Sequence, residues 1–279
     1  MKRKGVNDIE LLLSELDKQQ LCDFIRVECA NDRHFQQRFL SLGTGFLTSP
    51  KFCDYHARII DVIEEFGDRY GYVEYSKTFR LNRAICQIID EADVAIQNYQ
   101  WDLAQVILDS IATSGEDILY CGDDSAGELG DILHYCFQKW HELSSDELLP
   151  EGKKSELFEL SLTHFAEGCL KGFDWWWDWI QMAIQLADDE EKQGRIIQEL
   201  DKVINIKGDE WGINYNRQVA QRHKLEIMSK RGTPEEQFKF MYENVSNPDF
   251  RRRLLQMAWD RGDYKEVLRL AVDGATHDS

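Results

Sequence analysis

Apolar residues recur along this chain at the i, i+3, i+4 spacing of helices, and the Val- and Ile-rich alternation of a strand is absent. That spacing predicts helices over about 8–16, 18–30, 33–42, 50–66, 74–98, 101–113, 126–143, 155–171, 174–187, 189–204, 214–231, 234–244, 248–261 and 264–273. Polar and glycine-rich breaks punctuate them. Gly43, Gly67, Gly115, Gly172, Gly232, Gly262 and Gly274 each follow a predicted helix, where a left-handed residue ends the run. Ser49-Pro50, Thr233-Pro234 and Asn247-Pro248 pair an N-cap residue with proline at the first helical position. Thr233 and Glu236 have the spacing of a capping box. Pro150 is expected to separate two helices. The longest stretch without helical pattern is about 114–125.

The expected fold class is therefore all-α, with about 12–14 helices. A weak internal similarity suggests how they pair. The run from Ala95 to Ala104 resembles the run from Ala258 to Val267: a small residue near the end of one helix precedes an aromatic residue that opens the next. The run from Gly168 to Trp175 behaves similarly. These are similar to degenerate tetratricopeptide-type helix pairs, without that repeat's strict pattern or fixed period. The expectation is a helical-hairpin repeat, an α-solenoid, over an irregular bundle. It forms one domain over 1–279, with 114–125 as the candidate point of subdivision.

The run Phe173 to Trp179 holds four tryptophans. With Trp175 at zero and about 100° per residue, the apolar side chains from Trp175 to Leu186 cover an arc of about 220°. Asp174, Asp178, Gln181 and Gln185 gather in the remaining strip. So wide an arc predicts a helix covered on two sides, with the tryptophans in the core and only the polar strip reaching solvent. The alternative is an aromatic platform for a ligand.

Composition narrows the class. The chain has 279 residues, 43% of them hydrophobic, enough for a sizeable core and unlike a disordered acidic tail. It has 4 prolines, against about 14 at average usage, which disfavours a loop-rich all-β architecture. Its net charge is −18, which disfavours a non-specific nucleic-acid binder. The charge is unevenly spread. Residues 1–216 carry 21 basic and 41 acidic side chains, whereas residues 217–265 carry 11 basic and 7 acidic. The basic section marks Arg217, Arg222, Lys224, Arg251, Arg252 and Arg253 as candidate partner-binding residues, together with Asp174, Asp178, Gln181 and Gln185 of the polar strip. The plainer reading of those cations is a solvated face paired with neighbouring acidic helices.

No chemistry-bearing motif stands out. The seven cysteines are scattered, form no CxxC and fit a reducing, cytoplasmic setting. Cys53 and His56 lie one helical turn apart, but no second pair completes a zinc site. His134/Cys136 and His164/Cys169 diverge on their helices, and Cys22/Cys29 read as core. Gly43-Thr44-Gly45 lacks a preceding strand. The Gly122 to Glu128 loop has glutamate where a phosphate loop needs lysine. No signal segment or apolar run of spanning length is visible. The expectation is no metal, no cofactor and no catalytic residue.

The last sixty or so residues carry a resemblance. His223 to Ile227, Gly232 to Asn244, Asn247 to Leu255 and Gly262 to Gly274 are similar to the helical C-terminal region of bacterial SWIM zinc-finger-family proteins. Leu16 to Leu21 and Asp32 to Phe35 resemble the segment that follows the zinc finger in that family. Together these cover under half the chain. The SWIM element itself, CxCx(n)CxH, is absent, so no zinc ligand or DNA-binding residue carries over. The resemblance implies an accessory helical part, encoded alone or cut from a longer protein, with an interaction role in a bacterial cytoplasm. The leading expectation is a non-enzymatic scaffold that binds another protein. The alternatives are a nucleic-acid accessory module docking through 217–253, and an enzyme with a pocket in the helical stack.

Overall fold

The computed structural model describes residues 16–31, 52–208 and 210–277. Among the described residues the fold is all-α, with thirteen helices and no strand. The helices predicted over 8–16 and 33–42, the Ser49-Pro50 cap and the Gly43-Thr44-Gly45 motif lie outside the described residues, apart from the last residue of the first range.

The chain divides into two compact units, Met1–Leu149 and Pro150–Ser279. The described part of the first holds α1 (Lys18–Asn31), α2 (Phe52–Phe66), α3 (Tyr75–Gln97), α4 (Trp101–Thr113), α5 (Gly115–Tyr120) and α6 (Glu128–Ser144). The second holds α7 (Glu151–Glu167), α8 (Trp176–Leu186), α9 (Glu190–Ile204), α10 (Trp211–Arg231), α11 (Pro234–Glu243), α12 (Pro248–Asp260) and α13 (Tyr264–His277).

In the first unit α4 is the centre, packing against α2, α3, α5 and α6. Its sequence allows this because small and aliphatic residues surround it: Ala104, Ile107, Leu108, Ile111 and Ala112 are all buried. The 114–125 stretch does not divide the chain, and half of it is helical. Ile118 and Ser114 are buried in α5 and its entry, and Glu116 and Asp117 sit in the first turn, where the helix dipole favours acids. Beyond α5 the Val73 N–H donates to the Cys121 carbonyl at 2.7 Å, and the Asp123 N–H donates back to Val73 at 3.3 Å. Gly122 is required there, because a Cβ would lie 2.4 Å from the Val73 carbonyl oxygen.

The division falls at Pro150 instead. Its extended backbone makes it the residue that starts α7, accepting from the Lys153 N–H at 2.8 Å and the Lys154 N–H at 2.9 Å. The helix therefore begins earlier than the hydrophobic pattern implied.

In the second unit consecutive helices pack on one another from α7 through α13, and α8 also meets α10. The capping box at Thr233 forms with both of its hydrogen bonds. The Asn247 cap accepts from the Asp249 N–H at 3.0 Å, and its amide donates to Gln221 and to the Gln218 carbonyl, tying the start of α12 to α10. Gly274 does not end a helix: α13 runs on to His277. It is glycine because a Cβ would stand 2.8 Å from the Arg251 Nε of α12.

Candidate functional site

The tryptophan helix α8 is buried on two sides, packing against α7, α9 and α10. Trp176, Trp177 and Trp179 are 3%, 5% and 0% exposed. Each has a packing role. The Trp176 indole stacks on Phe165 at 4.5 Å and 6°, and its N–H donates to the Phe165 carbonyl at 3.0 Å. Trp179 lies 4.5 Å from the His164 ring. Trp177 touches Trp176 on one side and stacks on His223 of α10 on the other, at 5.7 Å and 23°. These three do not form an exposed platform, while Trp175, at the entry to the helix, is half-buried rather than in the core. The polar strip is on the surface as the helical wheel predicts, with Asp174, Gln181 and Gln185 exposed and Asp178 half-buried.

That strip forms one wall of a hollow of about 470 Å³ in the second unit. Asp174 and Gln181 line it from the α8 side. Tyr215, Val219, Arg222, His223 and Glu226 line it from α10, and Arg253 from α12. The α10 residues converge because they recur every three or four positions along one helix face. Trp177 and Val219, both buried, and half-buried His223 form its base. Across it the Tyr215 hydroxyl donates to Asp174 Oδ1 at 3.2 Å, and burial together with that carboxylate raises the phenol's pKa. Burial pushes the His223 pKa down, while Glu226, 3.8 Å from its Nδ1, opposes the shift. A second hollow of about 230 Å³ adjoins it, sharing Arg222 and Arg253 and adding Leu225, Asp249, Phe250 and Arg252.

The six candidate cations separate into two groups. Three serve the fold. Arg217 donates to the carbonyls of Ile204, Ile206 and Gly208, and to the Asn214 side chain. It fastens the loop that leaves α9, where the helix end exposes unsatisfied carbonyls. Lys224 pairs with Asp201 of α9 at 2.6 Å and lies over the Phe240 ring. Arg251 is 5% exposed, donates to the Val245 carbonyl at 3.2 Å and packs under Gly274. These three are engaged within the fold, as the plainer reading of the charge expects.

The other three face the hollows. Arg222 and Arg252 share Asp249, one on each carboxylate oxygen, at 2.8 and 3.2 Å. Arg253 is exposed and has no hydrogen bond or ion pair among the described residues. The helical wheel of α12 accounts for the division. Taking Arg251 as zero, Phe250, Leu254 and Ala258 fall within about 100° on one side, so Arg251 belongs to the apolar arc. Arg252 lies about 100° beyond one edge of that arc and Arg253 about 60° beyond the other. Sequence reasoning by net charge missed Tyr215, His223, Leu225 and Phe250, which the face spacing of α10 and α12 identifies.

Other sequence candidates do not assemble. His56 shares a 2.8 Å hydrogen bond with buried Ser114, and the Cys53 side chain lies outside the described residues. The six described cysteines form no disulfide. Among the described residues no group of three His, Cys, Asp or Glu side chains is placed to hold a metal ion, and no helix is long and apolar enough to cross a membrane. No protein-family model, curated protein or solved structure matches this chain.

Proposed function

We propose that this chain is a non-enzymatic helical-repeat scaffold that binds another protein, and that the contact runs through the two adjoining hollows of the second unit. The observation that carries the reading is the groove itself. It has a stacked indole–imidazole base and carries carboxylates, guanidiniums, an amide and a phenol along its walls. Such a lining offers ion pairs and hydrogen bonds to an extended polar chain held over a fixed base. The sequential packing of α7 through α13 supports the repeat arrangement, which typically presents elongated binding faces. The free cysteines favour a reducing, cytoplasmic setting. The resemblance to the helical C-terminal region of bacterial SWIM-family proteins agrees with an accessory interaction role.

The nucleic-acid alternative loses support from the engagement of Arg217, Lys224 and Arg251. Asp174, Glu226 and Asp249 among the remaining cations would repel a phosphate backbone. The test is site-specific photo-crosslinking in native lysate. With p-benzoylphenylalanine in place of Gln181, discrete protein adducts are expected. The same group in place of exposed Lys202 on α9 should give none. Equal labelling at both positions, or none at Gln181, would overturn the reading.

A further inference from the structure

The two hollows are not equivalent, and their shared edge indicates what they hold. Around the smaller one stand three guanidiniums, of Arg222, Arg252 and Arg253, and one carboxylate, of Asp249. Asp249 spends both oxygens on Arg222 and Arg252, so a single anion serves two cations and Arg253 has none among the described residues. The local excess of positive charge sits on a chain that is strongly acidic as a whole. Beneath it the lining is apolar, because Leu225 and Phe250 are buried in the hydrophobic cluster with Met241, Leu254 and Leu270. An unpaired guanidinium beside an apolar base is complementary to a carboxylate next to an aliphatic or aromatic side chain.

We propose that this groove binds an acidic peptide segment, with an Asp or Glu carboxylate on the Arg253 guanidinium and a neighbouring apolar side chain over Leu225 and Phe250. The proposal rests on the reading of the groove as a protein-binding surface and adds the chemistry of the partner. A small inorganic anion would leave the apolar lining unused. A nucleic acid carries a phosphate at every nucleotide and would set some of them against Asp174 and Glu226, whereas a peptide can confine its carboxylate to Arg253. The larger hollow continues the track toward Asp174 and Tyr215, which suits a chain extending beyond its acidic residue, with a donor group such as lysine or a backbone amide at the Asp174 end.

The experiment is an array of about twelve-residue peptides of varied composition, probed with the full chain and with Arg253→Glu and Arg253→Gln. A single-stranded oligonucleotide of equal length is measured beside it. Both variants alter an exposed side chain, and their melting temperatures check that they fold. Retained peptides should be enriched in Asp or Glu adjacent to Leu, Ile, Phe or Trp. Their affinity should fall at least about tenfold in Arg253→Glu and less in Arg253→Gln, as expected for loss or reversal of one charge-assisted contact. Retained peptides without acidic residues, binding unchanged in Arg253→Glu, or an oligonucleotide that outbinds every peptide would each overturn the proposal. If no peptide is retained the proposal also fails, and the adduct at position 181 then decides separately whether the protein-binding reading stands.

Discussion

Helix α8 and the basic section that begins at α10 lie in the same unit and touch through Trp177 and His223, yet their sequences inform very differently. In α8 the position of each side chain on the wheel states its fate: the broad apolar arc is buried and the polar strip is outside. In the basic section the sum of charges marks six candidate cations, and three of them are spent on contacts within the fold. The difference is physical. Burial of an apolar side chain follows from the face of the helix it occupies, because the gain scales with area removed from water wherever the neighbour is. A long cationic side chain can reach solvent, a carbonyl or a distant carboxylate from the same Cα, and only the tertiary structure decides which.

The comparison can be broken most severely at the contact itself. Trp177→Ala should lose about 3–5 kcal/mol of stability in urea denaturation, the range for a buried tryptophan truncated to alanine. An unchanged midpoint would mean that the α8 arc is not core. A smaller effect is expected where the basic section does display a local signal. The Thr233 hydroxyl accepts from the Glu236 N–H, and the Thr233 N–H donates to the Glu236 carboxylate, so Thr233→Ala should cost about 1 kcal/mol. Lys239→Ala on the same helix, with its exposed side chain, should stay within about 0.5 kcal/mol. Equal losses would remove the role given to the cap.

The smallest expected effect concerns pH. Burial holds the folded-state pKa of His223 below its ordinary value of 6.5, so between those two values the unfolded chain binds the proton more readily. The stability this contributes is fully present above about pH 6.5 and is lost as the pH falls through the folded value. Asp178, Arg222 and Glu226 also act on this imidazole, but desolvation dominates. The melting temperature should therefore decline between about pH 7.5 and 5.5, and decline less in His223→Gln. Parallel declines would show that the imidazole is not held neutral.

Much of the fold was legible because helix-forming rules are local. The helical spacing predicted nearly every described helix, and the Thr233 and Asn247 caps appear where the residue types require. What was missed involves partners remote in sequence. The α5 helix forms because Ile118 finds a core site. Gly274 is set by Arg251 of another helix. Pro150, by contrast, separates α6 from α7 as expected, and it starts the second of them. The groove was half legible. The α8 strip and the Arg222, Arg252 and Arg253 cations were marked by residue type, whereas His223 became visible only once Trp177 lay against it. Arg251 is the instructive miss, because its place in the apolar arc of α12 was already written in the spacing of Phe250, Leu254 and Ala258.

The central claim is that the cations of the basic section are divided between fold and surface, and two neighbouring arginines test it directly. Thermal and urea denaturation of Arg251→Ala and Arg253→Ala should separate them. Arg251→Ala should lose about 2 kcal/mol or more, from an unsatisfied carbonyl and lost packing, while Arg253→Ala should remain within about 0.5 kcal/mol of the parent. Equal losses, or a larger loss at Arg253, would contradict the division and with it the assignment of Arg253 to a partner.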